Sequence, residues 1–214
     1  FKANWSIIKK EYTAVKLIKI LIPLFMFFTS NYATAAELSG AEIFMNTCSK
    51  CHDPSVNFGD VPVLFGQEAV YIKRSLQAFK SGSRTDHILK MMNGIASKLS
   101  DKEIENVSTF LASSNPCDFD LKIDYKRADF KKEFREGKAL VQKNSCMHCH
   151  GTFHHFAPKL YGQKLSYLKK TMAAFKTKTR VAPIMNRFAA ALSDEDIEKM
   201  LTYFNAMALM RSCE

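Results

Sequence analysis

Tryptophan is nearly missing: Trp5 is the only one in 214 residues. Strand patterning is missing as well. Nowhere do apolar and polar residues alternate convincingly over the roughly four to eight positions that a half-buried strand needs. That excludes a sandwich, a barrel, or a parallel sheet clad in helices. Long apolar runs are scarce. The run at residues 20–28 is broken by Pro23, and it falls short of the roughly 20 residues that a bilayer-spanning helix requires. Acidic residues are outnumbered, with 21 Asp and Glu against 31 Lys and Arg, for a formal net charge of +10. Cysteines number six, and four of them fall in two copies of one short motif.

Of what is present, the first 36 residues stand apart. Lys9, Lys10, Lys16 and Lys19 precede the apolar run, and Ala33-Thr34-Ala35 follows it with small residues. This is the order of a secretory signal peptide, with cleavage expected after Ala35 or Ala36. A retained membrane anchor is the alternative. The expected mature chain has no tryptophan, and export places it in a bacterial periplasm.

The motif is Cys48-Ser49-Lys50-Cys51-His52, repeated as Cys146-Met147-His148-Cys149-His150. Both read C-x-x-C-H, the attachment signature of c-type haem. Two thiols on one turn of chain can each add to a porphyrin vinyl group, and the following histidine is then held where its imidazole can ligate iron. The competing reading is a zinc site built from the two C-x-x-C pairs. The long separation of the pairs and the histidine after each argue against it. The pattern therefore implies two covalently bound haem c groups, with His52 and His150 as iron ligands.

The rest of the chain repeats with the motif. Gly40 to Cys51 matches Gly137 to Cys149 with one insertion, and Pro62-Val63-Leu64-Phe65-Gly66-Gln67 matches Pro158-Lys159-Leu160-Tyr161-Gly162-Gln163. Tyr71, Leu76, Phe79 and Arg84 match Tyr167, Met172, Phe175 and Arg180. Met92 and Leu99-Ser100-Asp101 match Met185 and Leu192-Ser193-Asp194. A repeat this long means two copies of one domain and not a solenoid. Apolar spacing predicts helices over 41–47, 68–80 and 101–112 in the first copy, and over 130–144, 165–177 and 194–210 in the second. Ser100 to Glu103 and Ser193 to Asp196 read as capping boxes. The fold class is all-α: a first domain over 37–116, a linker over 117–128 and a second domain over 129–214.

Iron with one histidine needs a sixth ligand or keeps an open position. Met92 and Met185 each lie seven residues before the leucine ahead of the final helix, in equivalent places. A thioether favours ferrous iron and raises the potential relative to a second histidine. Met91 is the rival to Met92. His87, His148, His154 and His155 have no counterparts across the repeat. Pro62 and Pro158 are expected to orient the histidines through a nearby carbonyl. Gly66 and Gly162 suit tight turns. Arg84 and Arg180 suit haem propionates, with a solvated helix-end arginine as the alternative.

Charge is uneven. Residues 36–117 carry 8 basic and 9 acidic side chains, whereas residues 118–214 carry 18 and 11. Basic surfaces often meet nucleic acid. Export and haem point instead to an acidic redox partner or an anionic membrane surface. Cys117 and Cys213 each lie just past a final helix. In an oxidising compartment they could pair, or both could stay free.

These motifs resemble the cytochrome c4 family: two C-x-x-C-H sites, P-x-L-x-G-Q turns, Y-x-x-x-x-(L/M)-x-x-F helices and paired Met-x(6)-Leu-Ser-Asp segments. The likeness spans residues 37–210. It implies two tandem class I cytochrome c domains related by a pseudo-twofold, with His/Met ligation at both irons. It also implies a carrier moving electrons from a quinol-oxidising complex toward a terminal oxidase, often at the membrane surface, with no nucleic acid and no small-molecule substrate. The alternative is the haem subunit of a periplasmic dehydrogenase, such as a flavocytochrome c sulfide dehydrogenase. A dihaem peroxidase would need an open iron and usually a longer chain, so no enzyme activity is expected.

Overall fold

The computed structural model describes residues 37–53, 59–85, 90–118, 123–151 and 156–210. The proposed leader, His87, His154, His155 and Cys213 lie outside them. The first half runs α1 (Gly40–Ile43), a π-helical turn (Phe44–Cys48), α2 (Ser49–His52), α3 (Ala69–Ser81), α4 (Met91–Ala96) and α5 (Asp101–Ser113). The second runs α6 (Phe130–Lys143), α7 (Met147–His150), α8 (Leu165–Lys176), α9 (Pro183–Ala191) and α10 (Asp194–Ala206). Short 3-10 turns occupy Pro116–Asp118 and Met207–Met210. Among the described residues there is no strand, and no helix is long and apolar enough to cross a membrane.

Helix starts follow from side-chain chemistry. Ser100 accepts from the Glu103 N–H at 3.1 Å, and Glu103 accepts from the Ser100 N–H at 2.8 Å. Ser39 and Glu42 do the same at α1. These reciprocal bonds satisfy two amides that the helix leaves without partners. At α10 Ser193 accepts from Asp196 at 3.1 Å, but only α1 and α5 have the full box. Aspartate is one methylene shorter than glutamate and does not reach back, so the second expected box is half formed.

In each half the first and last helices cross, α1 over α5 and α6 over α10. A glycine sits at each crossing. A Cβ on Gly40 would lie 2.2 Å from the Asn106 carbonyl oxygen, and one on Gly137 would lie 2.1 Å from that of Lys199. Below the crossings Phe44, Phe65, Ile104 and Leu111 fill the first core, and Val141, Leu168, Leu201 and Phe204 the second. Each such side chain contributes roughly 1.5–3 kcal/mol by leaving water.

The one-residue insertion just before the second haem motif has a physical location. In the first copy the helix widens so that the Ser49 N–H donates to Phe44 O, five residues back. In the second, Cys146 donates to Val141 O at 3.1 Å. The extra residue there is absorbed by Ser145 in the left-handed region, φ 52°.

The halves meet through contacts that come in exchanged pairs. Gln163 binds the Val63 backbone, donating to its carbonyl at 3.0 Å and accepting from its N–H at 2.8 Å. Gln67 binds Lys159 in the same way, at 3.0 and 2.7 Å. Arg180 donates to the Tyr71 hydroxyl at 3.0 Å, and Arg84 to that of Tyr167 at 3.4 Å. Exchanging each residue for its repeat partner turns one contact into the other, which is the signature of a pseudo-twofold interface. Lys170–Asp60 at 2.5 Å and Lys159–Glu68 at 2.9 Å add ion pairs outside that symmetry.

Candidate functional site

Each C-x-x-C-H motif is displayed by a one-turn helix, α2 or α7, that follows the widened turn. Cys48 and Cys51 are half-buried, and burial pushes the Cys48 thiol up to about 12. Cys146 is half-buried and raised by burial, and Cys149 is exposed. None of the four is bridged to another cysteine. Among the described residues no three His, Cys, Asp or Glu side chains converge as a metal cluster. The two C-x-x-C pairs therefore do not form a joint zinc site.

The histidines have a defined tautomer. His52 Nδ1 lies 3.0 Å from Pro62 O, and His150 Nδ1 lies 2.8 Å from Pro158 O. A carbonyl only accepts, so each Nδ1 carries the proton. Burial, with Lys164 of the second half adding to it, lowers His52 to about 4 against the raising effect of the Pro62 bond. His150 is lowered chiefly by burial. Both rings are neutral near pH 7, with Nδ1–H engaged and the Nε2 lone pair available for iron. Paired cysteines beside such an imidazole fit covalently held haem, and the expected proline carbonyls are the ones used.

The methionines sit on helices that the repeat alone did not reveal, α4 and α9. Met92 is half-buried and packed on the first core, whereas Met91 is 45% exposed. Met185 is half-buried on α9. The next residue in each copy is a latch that sequence reading missed. Asn93 Nδ2 donates to Phe79 O and Arg84 O, both at 2.8 Å. Asn186 Nδ2 donates to Phe175 O at 2.7 Å and Arg180 O at 2.9 Å. Their match across the repeat was the available signal. His148 is exposed on α7.

Arg84 and Arg180 are not solvated helix ends. Their guanidinium groups lie 4.4 and 4.7 Å from the ring centroids of Phe79 and Phe175 and reach tyrosines of the opposite half. Burial would raise Tyr71, but Arg180 and Arg84 outweigh it and bring the phenol down to about 8. Cys117 is disulfide-bonded.

Two helical domains, each built around C-x-x-C-H with its histidine locked to a proline carbonyl, define a two-domain c-type cytochrome. Residues 38–115 match the family model described as cytochrome c, and residues 132–204 match the one described as cytochrome c oxidase, cbb3-type, subunit III. Cytochrome c4 of Stutzerimonas stutzeri is 27% identical over 215 residues, covering 89% of this chain and 98% of that protein. The thiosulfate dehydrogenase electron acceptor of Stutzerimonas stutzeri strain A1501 is 28% identical over 188 residues, covering 77% and 81%. The solved cytochrome c4 of Acidithiobacillus ferrooxidans superposes with a TM-score of 0.64 at 26% identity, covering 75% of this chain and 98% of that one. The chain is thus similar to cytochrome c4 over most of its length, at 27% identity. It is an electron carrier with two covalently bound haem c groups and not an enzyme.

Proposed function

We propose that the protein is a periplasmic dihaem shuttle passing electrons between respiratory components toward a terminal oxidase. The two domains occupy 37–116 and 129–214, joined over 117–128. Cys48 and Cys51, and Cys146 and Cys149, hold the haems through thioether bonds. His52 with Met92, and His150 with Met185, ligate the irons. The bound haem supplies one-electron redox chemistry. The chain supplies a neutral imidazole fixed through Nδ1, a latched thioether and a dry core. The observation that supports this most is the repetition of the His–proline carbonyl bond at 3.0 and 2.8 Å in both copies. The basic second half suits a redox protein with an acidic face, or an anionic membrane surface.

The test is an optical and EPR study of the purified protein with mass spectrometry. Two covalent haems, low-spin ferric iron and a weak far-red sulfur-to-iron band are expected. Met92→His or Met185→His should lower the potential of one haem each in a potentiometric titration. An unchanged titration refutes the methionine assignment.

The similarity to a thiosulfate dehydrogenase electron acceptor supports a second reading, in which the donor is a periplasmic dehydrogenase, of thiosulfate or of sulfide, and not a quinol-oxidising complex. Co-purification with such a dehydrogenase would favour it.

A further inference from the structure

The reciprocal glutamines touch the peptide groups that orient the histidines. Pro62 O, which accepts from His52, and the Val63 N–H, which donates to Gln163 Oε1 at 2.8 Å, belong to one amide. Pro158 O, which accepts from His150, and the Lys159 N–H, which donates to Gln67 Oε1 at 2.7 Å, belong to another. Each hydrogen-bonded chain therefore runs from a histidine through one peptide unit to a glutamine of the other domain. Both glutamines are buried, 7% and 6% exposed. Each Oε1 also accepts from the next N–H in its own chain, Glu68 or Lys164, at 3.0 Å, which fixes the side chain.

An amide is a resonance unit. When its N–H donates to a strong acceptor, its carbonyl gains negative charge and accepts more strongly in turn. A stronger acceptor at Nδ1 makes the imidazole a more basic iron ligand, which favours ferric iron. We propose that Gln163 lowers the potential of the haem held in the first domain, and Gln67 that of the haem held in the second, each acting as a positioning residue across the interface. This rests on His52 and His150 being the axial ligands.

The test uses the full haem-loaded chain, with each haem followed separately by its hyperfine-shifted NMR signals during redox titration. Gln163→Leu should raise the first-domain potential, making that haem roughly threefold more reduced at the wild-type midpoint, while the second barely moves. Gln67→Leu should do the reverse. Gln163→Glu keeps an acceptor for Val63 and should return the first-domain potential to the wild-type value or below. A shift in the glutamine's own domain, equal shifts in both haems, or no shift overturns the proposal. So does loss of haem from the leucine variants together with an unmoved glutamate variant. Wild-type protein lacking two His/Met haems would instead refute the underlying function.

Discussion

Gly40 and Gly137 are where a single carbon decides the packing of a domain. An added Cβ would sit 2.2 Å from Asn106 O in the first half and 2.1 Å from Lys199 O in the second. Both obstacles are backbone, so neither can swing aside. Gly40→Ala or Gly137→Ala should cost on the order of 2–4 kcal/mol in urea unfolding, because the two crossing helices must separate. Gly94, inside α4, has nothing within 4 Å of its Cβ position. Gly94→Ala should therefore stabilise by about 0.5–1 kcal/mol, since alanine loses less backbone freedom in a helix. Tyr71 makes a pH-dependent prediction. Its folded value of about 8 lies below the ordinary 10. Its contribution to stability is thus complete above pH 10 and lost as pH falls through 8. Urea midpoints at pH 8 and pH 10 should show the wild type gaining over Tyr71→Phe by on the order of 2 kcal/mol.

Helices α4 and α9 place the methionines, and the asparagine after each methionine ties its helix to the end of α3 or α8. Asn186 makes two bonds through Nδ2 and accepts from the Ala182 N–H at 2.8 Å. Asn186→Leu should destabilise by about 2–4 kcal/mol. On heating, the sulfur-to-iron band of the second domain should then fade before that of the first. At this scale the sequence was only partly legible. The long helices were readable because their apolar spacing spans several turns, and α5 opens at the serine that its capping box predicts. Helices α4 and α9 were not read, since six and nine residues give too little periodicity. Pro183 at the start of α9 was a usable sign. At α4 the matching residue is Lys90, held at φ 55°, which no propensity rule anticipates. The π-helical turn over Phe44–Cys48 is five residues long and likewise offered no periodicity to read.

Taken whole, the molecule is electrically lopsided, with 18 basic and 11 acidic residues over 118–214 against 8 and 9 over 36–117. Electron exchange with an acidic partner should slow by more than about tenfold as ionic strength rises from low to physiological values and beyond. Lys131→Glu with Lys138→Glu, exposed on α6, should slow stopped-flow exchange at low salt, whereas Lys98→Glu with Lys102→Glu should change it little. The repeat and both haem motifs were evident from spacing alone, because covalent chemistry fixes residue identity and order. The interface was not. Gln67 and Gln163 were matched as parts of a turn, but a repeated turn does not say which surface it faces, and only the folded pair brings residue 63 to residue 163. The contacts there have a further meaning for how the halves come together. Each half presents a peptide edge with an amide and a carbonyl to offer, and beside it a glutamine shaped to grip that same edge. Two halves that present such matching edges need no linker in order to clasp. Carrying both halves on one chain makes their meeting a matter of inheritance and not of concentration.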